Sequence, residues 1–187
     1  MKRTGLNTRK LFLLVLMVIS AITVNAQEKK LTKEEKKAKR KQEIEASFMS
    51  LDSLLQSRRF VLVAEFLQLR TGERVNVNSQ INFVKVNIDK ATLQVGGGSG
   101  MGYNGLGGVT AEGEISSWKL EKTEKNHSFT LRFSISSIVG HYDILIVIPA
   151  QNYASATVTG LGPGTMTWVG HLEHLTRGRV FQGATNY

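Results

Sequence analysis

The chain changes its hydrophobic rhythm twice. An unbroken apolar run comes first, Leu11–Val24, "LFLLVLMVISAITV". A charged stretch without periodicity follows. From Ile44 the apolar residues recur at helical spacing: Ile44, Phe48, Leu51 and Leu55 form one stripe, flanked by Met49 and Leu54. Ser50, Asp52 and Ser53 lie between them, so the segment reads as an amphipathic helix that docks on something. After Arg58 the period drops to two. Eight strand-like segments then follow: "RRFVLVAEFLQL", "NFVKVNI", "ATLQV", "EISSWKLEK", "SFTLRFSIS", "YDILIVIP", "ASATVTG" and "TMTWVGHL". The fifth is the most regular. It sets Phe129, Leu131, Phe133 and Ile135 on one face and Ser128, Thr130, Arg132, Ser134 and Ser136 on the other. The sixth is apolar on both faces from Ile144 to Ile148, which predicts a central strand ended by Pro149.

Short turns join these segments: "DK" at Asp89–Lys90, "TEKNH", and "GLGPG" at Gly160–Gly164. No helical pattern separates the strands, so the ladder should be antiparallel. The expected fold is mainly β. It is an antiparallel meander of about eight strands, a partly closed barrel or two-layered sheet, with the N-terminal helix covering an end or face. The tail from Thr176 reads as loop.

The first segment is not part of that fold. Lys2, Arg3, Arg9 and Lys10 precede the apolar run, and Val24 and Ala26 stand at the −3 and −1 positions of a small-residue cleavage site. The run of 14 residues is shorter than a membrane-spanning helix requires. The expected organisation is a signal peptide over residues 1–26, a charged linker or solvated helix extension over 27–43, and a single β-rich domain over 44–187. Export places the protein in the periplasm or at the outer-membrane periphery of a Gram-negative bacterium. The absence of cysteine suits a periplasm and removes thiol catalysis, zinc–thiolate sites and iron–sulfur clusters.

The formal charge of +9 overstates the basicity of the domain. Four of those charges lie in the leader. Residues 28–45 hold eight Lys/Arg against five Glu, and the chain from Ala46 onward holds twelve against ten acids. No basic face for nucleic acid is expected. The basic segment could touch membrane headgroups or an envelope polymer.

Candidate chemistry is sparse. "VGGGSGMGYNGLGG" contains a literal G-x-G-x-x-G at Gly100, Gly102 and Gly105, but a strand rather than a helix follows it. A pyrophosphate needs a helix N-terminus, so no nucleotide cofactor is expected. The run reads as an exposed connection in which Tyr103 and Asn104 are the first ligand candidates. Trp118 and Trp168 are the other candidates, as aromatics at a pocket mouth or in the core. His171 and His174 would share a metal only on a helix; on a strand they face opposite ways, and no metal is assigned. No nucleophile elbow or carboxylate pair is visible. The expected function is a binding module for an unknown small molecule, lipid or envelope protein. A hydrolase whose site does not show in the sequence is the alternative.

The order of these segments, from "SLLQSRRFVLVAEFLQLRTGERVNVNSQINFVKVNIDKATLQV" through "TLRFSISSIVGHYDILIVIPAQNYASATVTG" to "TMTWVGHL", resembles the exported bacterial family known as domain of unknown function 4251, found mainly in Bacteroidetes. The resemblance spans roughly Leu51–Leu172. It implies a helix followed by strands in this order and export to a Gram-negative envelope, and it implies no activity. Where many members carry a Leu-Pro-Tyr-type segment with an aromatic–glycine pair, this chain has its glycine run.

Overall fold

The computed structural model describes residues 32–97, 107–160 and 165–184. Among the described residues, one α-helix, α1 (Lys33–Gln56), precedes nine strands: β1 (Arg59–Gln68), β2 (Arg74–Asn76), β3 (Phe83–Asn87), β4 (Lys90–Val95), β5 (Val109–Thr123), β6 (Ser128–Ser137), β7 (Gly140–Pro149), β8 (Tyr153–Thr159) and β9 (Thr165–His174). All pairings are antiparallel, and β9 returns to pair with β1. Eight strands therefore close into a barrel. The short β2 is an extra strand on β1, beyond the stretch that β3 covers. The charged segment is helical from Lys33 onward. Its start carries a reciprocal cap: Glu35 N–H donates to Thr32 Oγ1 at 3.2 Å, and Thr32 N–H donates to Glu35 Oε2 at 2.7 Å.

The alternation predicted for β6 holds. Phe129, Leu131, Phe133 and Ile135 are buried, and the intervening residues are half-buried or exposed. The double-sided apolar run of β7 does not make it a central strand. A closed barrel has no centre, and its outward positions face solvent: Val147 is 43% exposed and Leu145 half-buried. The hairpin between β3 and β4 turns on Ile88–Asp89, one residue earlier than the "DK" reading. There Asn87 pairs with Lys90, and Ile88 takes the left-handed conformation at φ 60°.

The interior is filled by side chains. Phe60, Leu62, Leu93, Leu131, Ile135, Ile146 and Trp168 are all essentially inaccessible. An eight-stranded barrel is just wide enough for such a core. The α1 stripe seals one end. Phe48, Leu51 and Leu55 are buried, Ile44 packs against the core, and the Phe48 ring stacks on Phe129 at 4.7 Å. Polar ties hold the helix there. Ser47 donates to the Ala150 carbonyl, Glu45 meets His127 Nε2 at 3.0 Å, and Lys122 reaches Asp52 at 2.9 Å.

The C-terminal segment follows β9 onto the outer wall of β1, β3 and β4. Val61 and Phe83 point outward yet are fully buried, and an added Cβ at Gly178 would lie 2.3 Å from Val61. Gln94, also outward and inaccessible, is the polar hub. Its amide donates to the carbonyls of Ile81 (3.1 Å) and Phe181 (2.7 Å). Its oxygen accepts from Thr110 Oγ1 (3.0 Å) and Gly183 N–H (2.8 Å). A buried amide so fully satisfied fixes the segment in one position.

Candidate functional site

A filled barrel leaves only its outside for ligands. One opening is a cleft of about 890 Å³ at the helix-sealed end. One wall is a row of serines on α1 and just after it: Ser47, Ser50, Ser53 and Ser57. Helical spacing of three to four residues sets them on one side. Three of them spend their protons on backbone carbonyls. Ser47 donates to Ala150 O, Ser53 to Met49 O and Ser57 to Leu54 O. Ser47 and Ser53 keep their lone pairs as acceptors, whereas Ser57 Oγ already accepts from Arg59 N–H at 3.2 Å.

The opposite wall comes from the end of β9 and the turn after it: Leu172, Glu173, His174, Thr176 and Arg177. Thr176 N–H donates to His174 Nδ1 at 3.3 Å, and Thr176 Oγ1 lies 2.9 Å from the same nitrogen. A neutral ring whose Nδ1 accepts carries its proton on Nε2, which is then free to donate. Among the described residues, Arg177 has no side-chain hydrogen bond or ion pair. Asn152, at the cleft floor, is spent on Leu172: Nδ2 donates to the Leu172 carbonyl at 2.9 Å and Oδ1 accepts its N–H at 3.0 Å. The cleft thus offers two unspent donors, a guanidinium and an imidazole N–H, opposite a hydroxyl row.

A second constellation lies on the outer wall of β6 and β7. Ser136 Oγ is 3.1 Å from His141 Nδ1, and His141 Nε2 is 3.6 Å from Asp143 Oδ1, which also accepts from Ser134 at 2.6 Å. Register explains it, because Ser136 pairs with His141 and Ser134 with Asp143. The His141 and Asp143 side chains are more than half exposed. Sequence reasoning missed this group; "SISSIVGHYD" across a hairpin was the available signal.

Among the described residues, those singled out from sequence do not converge. Tyr103 and Asn104 lie outside the described residues. Trp168 is fully buried in the barrel interior. Trp118 sits just after a bulge in β5, where Ser117 has φ 55° and the register with β6 shifts between Ser116 and Lys119. Its ring stacks on Phe133 at 5.4 Å and carries the Arg58 guanidinium at 4.5 Å. His171 and His174 take opposite faces of β9, and His171 Nδ1 is 3.0 Å from Glu65. Among the described residues, no group of three or more His, Asp or Glu is placed to hold a metal.

The glycine run joins two neighbouring strands, and its described ends are tightly packed. Gly96 N–H donates to Asn82 Oδ1 at 3.0 Å, and its carbonyl accepts from Asn82 Nδ2 at 3.1 Å. A Cβ on Gly108 would fall 2.0 Å from the Val95 carbonyl oxygen, so that glycine is required by backbone approach. No helix begins at its described C-terminal end; β5 does, at Val109.

The comparisons agree with this architecture. No curated protein matches the chain. Among solved structures, a crystal structure of a DUF4251 family protein from Bacteroides eggerthii is similar at 31% identity, covering 71% of this chain and 90% of that one, with a TM-score of 0.59. The family model described as domain of unknown function (DUF4251) matches residues 42–172. The match runs from α1 to Leu172 in β9, so the barrel and the helical stripe that seals it are the family's common unit, and this chain belongs to the DUF4251 family.

Proposed function

We propose that this protein is an exported module of the bacterial envelope that binds a small, acceptor-rich anionic ligand in the cleft between α1 and the end of β9. The observation that carries the reading is the pairing of unspent donors, Arg177 and His174 Nε2–H, in one cleft against the α1 serine row. A guanidinium binds carboxylate or phosphate with paired N–H groups, and an imidazole N–H adds a third donor at an angle. The serine lone pairs accept from hydroxyls on the same ligand. Export rests on the basic leader, the apolar run and the "VNA" site.

The test is an NMR titration with phosphate, citrate and glucose 6-phosphate. Saturable shifts at His174, Arg177 and Ser50, abolished by Arg177→Ala, support the cleft. Shifts absent at millimolar ligand, or unchanged in Arg177→Ala, overturn it.

A hydrolase is the second reading, and the Ser136–His141–Asp143 group is the observation in its favour. The wall around it offers little for catalysis. At Ser136, β6 pairs with Glu114 of β5 on one side and His141 of β7 on the other, which leaves no pair of free N–H groups for an oxyanion. Hydrolysis of p-nitrophenyl acetate lost in Ser136→Ala would favour this reading over the binding module.

A further inference from the structure

We infer that the outer wall of β8 and β9, together with the β1–β2 turn, is a second site, built for an acidic oligosaccharide. A groove of about 540 Å³ runs along this wall, separate from the end cleft. Its floor is a strip of hydroxyl side chains. Ser155 and Thr157 face outward from β8, and Thr167 lies beside Thr157 on β9, their Oγ1 atoms 3.0 Å apart. One end carries Tyr153, which is 41% exposed. Its ring meets that of His171 in a T-shaped arrangement at 5.3 Å between centroids, and His171 is itself held by Glu65. The Tyr153 ring is therefore held beside His171 while much of its surface stays exposed.

The other end is cationic. Arg70 and Arg74 both line the groove from the β1–β2 turn. Arg74 Nε donates to Gln68 Oε1 at 3.3 Å, which aims the rest of its guanidinium, and Arg70 has no partner among the described residues. Along β8, Tyr153 and Thr157 are separated by roughly 13 Å at the usual strand rise.

These parts match one class of ligand. The apolar face of a pyranose ring stacks on an exposed tyrosine, which offers a flat amphipathic surface at low entropic cost. Ring hydroxyls exchange hydrogen bonds with serine and threonine, which both donate and accept. Acidic groups along the same chain, carboxylate or sulfate, meet the two arginines as forked contacts. A peptide strand finds no free edge on the groove floor, because β8 and β9 are each paired on both sides, and the edge of β2 is only three residues long. A lone anion would need only the arginines and would leave Tyr153 and the hydroxyl strip unused.

The test is an NMR titration of the purified protein with an oligogalacturonate, with maltohexaose as the neutral counterpart and inorganic phosphate as the lone anion. Saturable shifts at Tyr153, Ser155, Thr157 and Thr167 are expected with the acidic oligomer, and weaker or none with maltohexaose. Arg70→Ala/Arg74→Ala and Tyr153→Ala should each raise Kd roughly tenfold or more. The control Lys119→Ala/Lys125→Ala removes the same charge elsewhere and should leave Kd unchanged. All five substituted positions are on the surface, and thermal melts confirm that the variants fold. The proposal is overturned if the oligogalacturonate gives no saturable shifts at millimolar concentration, if phosphate binds as tightly, if the lysine control weakens binding as much as the arginine pair, or if Tyr153→Ala has no effect.

Discussion

The indole N–H of Trp168, on β9, donates to the backbone carbonyl of Gln94, on β4, at 3.1 Å across the barrel interior. The two strands are not neighbours in the sheet. One side chain thus ties the inward surface of the barrel to the residue whose own side chain anchors the C-terminal segment outside. Trp168→Phe removes volume and leaves that buried carbonyl short of a donor, and should cost about 1–3 kcal/mol in urea unfolding. Trp168→Ala should cost about 3–5 kcal/mol. Equal small losses for both would mean that the indole neither fills nor bridges the interior.

The outer side of the same residue gives a second prediction. Gln94→Leu leaves the Ile81 and Phe181 carbonyls and Gly183 N–H without their shared partner. It should destabilise by about 2–4 kcal/mol, several unsatisfied groups at once. Truncation after Arg177 should remove much of the same interaction, so the two changes should be less than additive in a double-mutant cycle. Full additivity would mean that the terminal segment and Gln94 act independently.

Acid should loosen this strap. Glu112 lies beneath it, and its carboxyl is held below its ordinary value, first by the Gln182 amide donating at 2.7 Å, with further help from Thr92, Lys85 and Lys90. Partial burial opposes the shift without reversing it. The folded-state pKa is the lower one, so the stabilisation is present above the ordinary value of 4.5 and fades as pH falls below it. Wild type should lose stability relative to Glu112→Gln over that acid range, read by urea unfolding at a series of pH values. Parallel pH profiles for the two proteins would remove Glu112 from the account.

Facing on β6 is testable by a matched pair. Phe133 is buried and stacks on Trp118, whereas Ser134, one residue on, faces outward. Phe133→Ala should cost about 3–5 kcal/mol. Ser134→Ala loses one exposed hydrogen bond to Asp143 and should stay within about 0.5 kcal/mol of wild type.

The proposed export makes a covalent prediction. The mature N-terminus should be Gln27, read by mass spectrometry of the protein recovered from a Gram-negative envelope fraction. An intact Met1 species in the inner membrane would contradict it.

Periodicity alone was enough for the helix stripe, for eight strands in order and for their antiparallel pairing, because each element must bury one face and the connections are too short for crossovers. It missed β2, whose three residues are all exposed and therefore carry no alternation of burial. It also misjudged β7, since outward apolar residues on a barrel look the same in sequence as the second buried face of a central strand. Closure itself is a long-range fact: Phe60 meets His174 across most of the domain, and no local pattern encodes that contact. The same holds for the candidate sites. The α1 serines and Arg177 share a cleft only because β9 ends beside the helix, and Tyr153 joins Arg74 only because β8, β9, β1 and β2 are successive neighbours around the wall. Hydrophobic spacing determined what each segment is. Which polar side chains meet was decided by closure and register, which bring together residues far apart along the chain.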